Sequence, residues 1–386
     1  MNRNDCERLD TQDPLAPLRD QFELPPGKVY LDGNSLGALP RATAQRVVEV
    51  VQQQWGRHLI ESWNTARWID LPQHLGNKIA KLVGAGPNEL VVADSTSVNL
   101  FKVMSAAISL AHSAQRRVIL SERDNFPTDL YIAQSLARQH GCELVLIDTP
   151  EAIEPRLAQG DVAVLMLTQV NYRTGRLHDM AALTRAAHRV NALAVWDLAH
   201  SAGALPVHLK RDDADFAVGC GYKYLNGGPG APAFVWVHPR HADRFEQPLA
   251  GWMGHAAPFA FTPDYAPAPG VARYLCGTPP VISMAALDCG IDTLLAAEPL
   301  GGMDALRSKS LALTQTFMRL VAERCAGHGL SVITPHEAVQ RGSQVSLVRS
   351  EGAYAIVQAL IARGVVGDFR APDILRFGFT PLYLRF

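Results

Sequence analysis

The middle of the chain alternates short apolar segments with longer segments of helical periodicity, and this alternation constrains the fold more than any other feature. Several apolar segments carry Val, Ile or Leu at consecutive positions, which is typical of strands buried on both faces. These segments are 91–93, 117–120, 143–147, 162–167, 192–196, 215–218 and 233–237. Helix-like segments lie between them at 99–112, 128–140 and 180–190. The alternation predicts an α/β fold with a mostly parallel sheet covered by helices.

The sequence changes character after about residue 262. The segment FTPDYAPAPG at 261–270 is rich in Pro and Ala, as linkers often are. The segments that follow read as helix at 281–298 and 303–325, strand at 343–350 and helix at 355–364. We therefore predict three parts, namely an N-terminal segment at 1–28, a large α/β domain at 29–262 and a small C-terminal α+β domain at 263–386.

Composition and charge argue against several classes of protein. The formal net charge is −1 and the pI is about 6.9, so no strong field attracts nucleic acid or an anionic membrane. No apolar run is long enough to span a bilayer, and the polar N-terminus lacks the apolar core of a signal peptide. None of the six cysteines forms a C-x-x-C pair, so we expect no metal site and a reducing, cytoplasmic location.

Polar side chains follow several predicted strands at the point where each strand ends. In open α/β sheets, ligands bind outside the carboxyl ends of the strands. Asp197 ends one strand, and a buried carboxylate there needs a partner for its charge. Thr96 and Ser97 precede a helix, where hydroxyls and free amides could bind an anion. Helix capping is the alternative interpretation of both features.

The stretch GCGYKYLNGGPG at 219–230 places Lys223 on a tight connection between two apolar segments. A loop lysine is usually a solvated charge, but here it accompanies an aspartate, an aromatic residue (Phe126) and a candidate phosphate site at other strand ends. Pyridoxal 5′-phosphate (PLP) requires this set of groups. A lysine forms a Schiff base with the aldehyde, and a carboxylate keeps the pyridine nitrogen protonated. An aromatic ring can stack on the cofactor.

Eight motifs together resemble the fold-type I PLP enzymes and, within them, the kynureninase family. They are VYLDGNSLGALP (29–40), DSTSVNLFK (94–102), NFPTD (125–129), NYRTGRLHD (171–179), WDLAHSAGALP (196–206), GCGYKYLNGGPG (219–230), GWMGH (251–255) and GTPPV (277–281). They occur in this order from about residue 29 onward, and the resemblance covers nearly the whole chain. It implies the fold-type I PLP-transferase architecture, with a large PLP-binding domain and a smaller C-terminal domain.

The resemblance also implies roles for individual residues. Lys223 would bond covalently to the cofactor, Asp197 would pair with its pyridine nitrogen, and Arg376 would hold the substrate α-carboxylate. Tyr222 would serve either as an acid/base or only as a phosphate ligand. The other cofactor contacts implied are Thr96, Ser97, Phe126, Asp129, Thr168, His200, Trp252 and Thr278, and the substrate contacts are Asn34 and Ser35.

The implied reaction is the hydrolysis of L-kynurenine to anthranilate and L-alanine, by cleavage of the Cβ–Cγ bond, in tryptophan degradation. 3-Hydroxykynurenine is a possible second substrate. Thr278 stands where some members of the family carry asparagine, on the side that faces the substrate ring, so it bears on this preference. The implied assembly is a homodimer, with Trp252 and Thr278 completing the partner's active site.

Other enzyme classes are alternatives. GNSLG at 33–37 fits the G-x-S-x-G motif of serine hydrolases, but Ser35 precedes the main sheet and no helix follows it at once. A cysteine desulfurase needs a mobile catalytic cysteine, and neither Cys276 nor Cys325 lies on an obvious flexible loop. An aminotransferase would need a keto-acid acceptor. A binding protein with the same sheet could lack the cofactor altogether.

Overall fold

The structure is a computed structural model that describes residues 2–386. The α-helices are α1 (Arg3–Thr11), α2 (Arg41–Glu49), α3 (Ser62–Thr65), α4 (Leu71–Val83), α5 (Thr96–Ala111), α6 (Pro127–His140), α7 (Ile153–Leu157), α8 (Met180–Arg189), α9 (Pro239–Ala242), α10 (Val281–Leu295), α11 (Gly302–Arg324) and α12 (Ala353–Ala362). The strands are β1 (Phe22–Glu23), β2 (Val29–Tyr30), β3 (Leu39–Pro40), β4 (Leu90–Ala93), β5 (Val118–Glu122), β6 (Glu143–Ile147), β7 (Val162–Thr168), β8 (Leu193–Asp197), β9 (Phe216–Gly219), β10 (Ala233–Val237), β11 (Ser331–Val332), β12 (Gln344–Val348), β13 (Val365–Val366), β14 (Asp368–Arg370) and β15 (Ile374–Gly378).

A seven-stranded sheet forms the centre of the molecule, in the order β4-β10-β9-β8-β7-β5-β6. The pairs from β9 through β6 are parallel, and β10 runs antiparallel to both of its neighbours. Every residue of β7 is buried, as consecutive apolar positions predict for a strand covered on both faces. The predicted α/β fold with a mostly parallel sheet is therefore confirmed.

Local sequence signals explain where several helices begin and end. The Ser95 side chain caps α5 by accepting a hydrogen bond from the Val98 amide at 3.3 Å. Pro127 occupies the first position of α6, where its missing amide proton costs nothing. Gly141 ends the same helix with a φ of 64°, a left-handed conformation that favours glycine. These boundaries hold the polar residues at the helix starts above the sheet.

A second, smaller sheet has the order β11-β12-β15-β14 and is antiparallel throughout. The N-terminal part of the chain joins this half of the molecule, because β2 pairs in parallel with β13. Helix α10, beyond the predicted linker, packs against α2 and α4. The division into domains at residues 28 and 262 stays a prediction.

No helix within residues 2–386 has the length and apolar character needed to cross a membrane.

Candidate active site

A cavity of about 130 Å³ lies at the carboxyl edge of the large sheet. The strands β4, β5, β7, β8 and β9 end at this edge, so residues far apart in sequence converge there. The lining residues are Ser95, Thr96, Ser97, Phe126, Asp129, Thr168, Tyr172, Asp197, Ala199, His200, Tyr222 and Lys223. Nine of the residues singled out from the sequence belong to this set: Thr96, Ser97, Phe126, Asp129, Thr168, Asp197, His200, Tyr222 and Lys223.

The first turn of α5 forms one end of the cavity, and this end is suited to bind an anion. Amides in the first turn of a helix have no acceptor within the helix, and the helix dipole places partial positive charge there. The Thr96 and Ser97 hydroxyls stand at this turn. Asp94, just before it, has a φ of 48° and pairs with the buried ammonium of Lys102 at 2.5 Å. Lys102 also donates to the Tyr274 carbonyl at 2.6 Å, which ties the turn to a distant segment.

Two buried carboxylates, those of Asp129 and Asp197, meet beside Lys223. Burial, and then the neighbouring Asp197 carboxylate, raise the pKa of Asp129 well above its ordinary value. Burial also raises the pKa of Asp197, although the Lys223 ammonium and the Ala199 amide, which donates at 2.7 Å, act in the opposite direction. Asp129 Oδ2 is buried and has no hydrogen-bond partner within the described part of the chain. The pair therefore offers an acceptor and, when Asp129 is protonated, a donor.

Lys223 follows β9 and is held by close backbone packing. Its carbonyl accepts from the Asn226 amide at 3.0 Å, and the Tyr222 carbonyl accepts from the Gly37 amide at 2.8 Å. A Cβ atom on Gly37 would lie 2.5 Å from the Lys223 carbonyl oxygen, so only glycine allows this approach. Lys223 Nζ lies 5.9 Å from the centre of the Phe126 ring and 5.7 Å from that of Tyr222. The amine therefore faces the cavity beside a ring that can stack on a cofactor.

The half-buried phenol of Tyr222 stays protonated at neutral pH. Burial raises its pKa above the ordinary value of 10, and the nearby Cys220 and Asp197 add to the shift. A protonated phenol can donate a hydrogen bond or a proton to an oxygen in the cavity.

Arg376 on β15 lies at the centre of a polar cluster beyond the cavity. Its guanidinium donates to the Tyr172 carbonyl at 2.8 Å, to Ser35 Oγ at 2.9 Å and to Asp368 Oδ2 at 2.5 Å. Its buried Nε has no partner among the described residues. Burial raises the pKa of the adjacent Asp32 to about 6. Arg376 thus has an unused donor next to the cavity-lining residue Tyr172.

The structure joins Asn34 and Ser35 to this cluster and leaves two predicted residues outside it. Asn34 donates to Gln344 Oε1 at 3.4 Å, whereas Ser35 bonds to Arg376 and Asp368 and not to a histidine. Trp252 packs edge-on against Trp63 and Phe259, with ring centres 5.7 and 5.8 Å apart. Thr278 is exposed. Neither Trp252 nor Thr278 lines the cavity of its own chain.

Sequence reasoning missed five residues of the site, two of which, Ser95 and Ala199, line the cavity. Tyr172 also lines the cavity, Asp368 pairs with Arg376, and Gln344 contacts His200 Nδ1 at 3.1 Å. Gln344 carried a usable signal, because a polar side chain at a buried position of the strand SQVSLV requires hydrogen-bond partners.

Comparison with known proteins identifies the family. The family model described as the kynureninase C-terminal domain matches residues 306–386. Kynureninase from Pseudomonas fluorescens is 56% identical over 388 aligned positions, which cover 100% of this chain and 92% of that protein. This chain belongs to the kynureninase family. Kynureninase from Burkholderia mallei (strain SAVP1) is 55% identical with the same coverage. The predicted resemblance is confirmed.

Solved structures agree on the fold. The apo structure of a cysteine desulfurase from Thermococcus onnurineus superimposes with a TM-score of 0.80 at 18% identity, and covers 95% of this chain and 94% of that one. A C-DES variant with glycine covalently linked to its PLP cofactor superimposes with a TM-score of 0.81 at 18% identity, and the alignment covers 95% of this chain and 96% of that one. At such identities the likeness shows a shared architecture, which is the predicted fold-type I.

The residues of the cavity fit PLP, the cofactor predicted from the sequence. The first turn of α5, with its two hydroxyls, suits a phosphate. The carboxylates of Asp129 and Asp197, one of whose oxygens is buried without a partner, suit a protonated ring nitrogen. The Lys223 amine suits an aldehyde, and the Phe126 ring supplies an apolar face.

Proposed function

We propose that this cavity hydrolyses L-kynurenine to anthranilate and L-alanine, with Lys223, Asp197 and Tyr222 as its catalytic residues. Membership of the kynureninase family makes the chain a PLP-dependent hydrolase of the kynurenine pathway, as predicted. The observation that carries the residue assignment is the convergence of Lys223, the Asp129–Asp197 pair and the α5 turn on one cavity.

Thr96 and Ser97 would hold the cofactor phosphate, Thr168 and His200 would contact the ring region, and Phe126 would stack on it. Asp197 would accept a hydrogen bond from the ring nitrogen, with Asp129 beside it. PLP, when bound, supplies an electrophilic carbon for the substrate amine and an electron sink for the carbanions of the reaction. The protein itself supplies position, charge and proton transfer.

Lys223 would take the proton from the substrate α-carbon, since its amine enters the cavity beside Phe126. Tyr222 would donate to the γ-carbonyl oxygen while water adds to the carbonyl carbon. Cleavage then releases anthranilate, whose carboxylate keeps the water oxygen, and Cβ gains a proton to become the alanine methyl group. The raised pKa of Tyr222 keeps the phenol protonated for this role.

Arg376 would bind the substrate α-carboxylate through the donor that it leaves unused. Asn34 and Ser35 would line the same end, because Ser35 accepts from Arg376 at 2.9 Å and Asn34 belongs to the adjacent hydrogen-bond network. Charge-assisted hydrogen bonds of this kind fix the orientation of the substrate relative to Lys223.

The test is product formation by the PLP-loaded protein. Wild type should convert L-kynurenine to equal amounts of fluorescent anthranilate and alanine, and Lys223→Ala should abolish turnover. Comparison with 3-hydroxykynurenine measures the substrate preference. Loss of kynurenine without alanine release, or substantial turnover by Lys223→Ala without added amines, would contradict the assignment.

The working unit would be a homodimer in which Trp252 and Thr278 complete the partner's site. Both residues lie outside the cavity of their own chain. Large apolar side chains are exposed on the surface nearby. Phe261, which is 77% exposed, lines a groove together with Trp252, and Trp55 and Ile282, which are 58% and 41% exposed, line a groove with Pro279 and Pro280, directly after Thr278. Exposed apolar patches are typical of an interface.

Mixing inactive variants tests the shared site. A Lys223→Ala chain paired with a Trp252→Ala chain contains one site whose residues are all intact. Random reassembly should therefore restore activity to about one quarter of the wild-type level, because about half of the dimers are mixed and each has one intact site. Activity that stays at the level of the separate variants would contradict a shared site, and a monomeric mass in sedimentation would contradict the dimer.

A further inference from the structure

Gln344, on strand β12 of the small sheet, connects four segments that surround the active site. Its side chain is buried, with 1% of the residue exposed. Oε1 lies 3.1 Å from His200 Nδ1 and accepts from Asn34 Nδ2 at 3.4 Å. Nε2 donates to the Tyr172 carbonyl at 3.0 Å and to Ser346 Oγ at 3.3 Å. One amide therefore contacts both His200, which lines the cavity, and the loop that contacts Arg376.

The partners of this amide determine its orientation. The Tyr172 carbonyl can only accept hydrogen bonds, so the amide nitrogen of Gln344 must face it. A flipped amide would bring two oxygens together. With the nitrogen toward Tyr172, the Gln344 oxygen faces His200 Nδ1, and a hydrogen bond there requires the proton on Nδ1.

At neutral pH the His200 ring is uncharged and carries a single proton. Burial lowers its pKa well below the ordinary value of 6.5, and the charges of Lys223, Arg376 and Arg370 lower it further. The neutral ring therefore has its proton on Nδ1, toward Gln344, and an unprotonated Nε2 that can only accept. The hydrogen bond that one ring nitrogen makes determines which nitrogen of a histidine carries the proton.

The Tyr172 carbonyl is the second group that Gln344 holds in place. It accepts from Gln344 and also from the Arg376 guanidinium at 2.8 Å. Gly175, with a φ of 74°, gives the loop room to lie over the amide, since a Cβ there would be only 2.9 Å from Gln344 Cγ. The Gly175 carbonyl in turn accepts from the Gly342 amide at 2.8 Å. The loop of residues 171–175 thus rests on the small sheet around Gln344.

We propose that Gln344 is a positioning residue that fixes His200 as its Nδ1-protonated tautomer and holds the Tyr172 carbonyl against Arg376. The buried Gln344 amide would then determine which ring nitrogen of His200 carries the proton. It would also hold in place the backbone carbonyl that positions Arg376, the proposed ligand of the substrate α-carboxylate. This inference deepens the proposed function and rests on it for its catalytic meaning. The tautomer itself can be measured without any turnover.

The first test is nitrogen NMR of the cofactor-free protein labelled with ¹⁵N-histidine, with His200 assigned by the loss of its signals in His200→Asn. Wild type at neutral pH should show a protonated Nδ1 and an unprotonated Nε2. Gln344→Met should move the proton toward Nε2, whereas Gln344→Glu should keep Nδ1 protonated and raise the pKa of the ring. Gln340→Met, at an exposed glutamine, is the matched control and should leave the pattern unchanged.

A wild-type His200 with the proton on Nε2, or a pattern that Gln344→Met does not alter, would overturn the proposal. In folded Gln344→Met, the KM for kynurenine should rise about tenfold, and the affinity for PLP should change less. The reason is that this variant loses the one hydrogen bond from Gln344 to the Tyr172 carbonyl, which supports Arg376. Absence of kynurenine turnover in wild type would refute the proposed function but leave the NMR result standing, so the two failures are distinguishable.

Discussion

Replacing Lys102 with methionine perturbs the anchor of the proposed phosphate turn. The Lys102 side chain is fully buried, and its ammonium lies 2.5 Å from Asp94 Oδ2 and 2.6 Å from the Tyr274 carbonyl. Methionine keeps most of the apolar stem but leaves both acceptors without their donor. We expect the turn with Thr96 and Ser97 to lose its fixed position, because Asp94 immediately precedes it.

The expected magnitude follows from the burial of the pair. Removing one partner of a buried ion pair typically costs about 3–5 kcal/mol, since the remaining charge stays desolvated. The Asp94 side chain is 31% exposed, so water recovers part of that cost. We therefore expect Lys102→Met to lower the free energy of unfolding by about 2–4 kcal/mol.

Urea unfolding of the cofactor-free protein measures this loss, and absorbance titration measures PLP affinity, which should weaken. Lys81→Met, at an exposed lysine of α4, is the control and should change stability by less than about 0.5 kcal/mol. The double variant Asp94→Asn/Lys102→Met should lose less than the sum of the single variants, because it leaves no unpaired charge. A Lys102→Met protein as stable as the control would refute this reasoning.

Three further outcomes are expected. Arg376→Lys should raise KM for kynurenine by about 10- to 100-fold with a smaller fall in kcat, because an ammonium cannot reproduce the planar guanidinium contacts; an unchanged KM in steady-state assays would contradict its role. Tyr222→Phe should lower kcat by about 10²- to 10⁴-fold while PLP remains bound; weakened PLP binding with nearly normal kcat would make Tyr222 a phosphate ligand only. Asp215→Asn should lower the free energy of unfolding by about 3–5 kcal/mol, since it removes a buried charge bonded to His188 Nε2 at 2.8 Å. The hydrogen bond to Asp215 raises the pKa of His188, so the stability that this pair contributes is fully present below pH 6.5 and declines as pH rises through the folded pKa. Denaturant unfolding from pH 6 upward should show a larger decline in wild type than in Asp215→Asn, in which Asp213 still lies 3.3 Å from His188 Nδ1.

Much of the large sheet was predictable from the sequence because its strands are buried on both faces. Consecutive apolar residues, as in β7, identify such strands without knowledge of their neighbours. The carboxyl ends of these strands then indicated where Asp197 and Lys223 would meet. The antiparallel direction of β10 was not predictable in this way, because strand direction depends on the route of the connecting chain and not on local periodicity.

The contacts between the two ends of the chain were less accessible to sequence reasoning. The pairing of β2 with β13 joins residues more than 330 positions apart, and short strands carry almost no periodic signal. The links from Arg376 to Asp368 and from Gln344 to His200 likewise depend on the packing of separate segments. The family resemblance supplied Arg376, but nothing in the local sequence indicated which residues support it.

The assignment of Lys223 is tested most directly by borohydride reduction of the yellow PLP-loaded protein, followed by peptide mass mapping. Reduction converts the covalent link between the cofactor and its lysine into a stable bond, so the modified residue can be located. We expect a single phosphopyridoxyl group on Lys223, in the peptide that contains the sequence GYK at 221–223. A label on another lysine, or a protein that cannot bind PLP at all, would contradict the account of this active site.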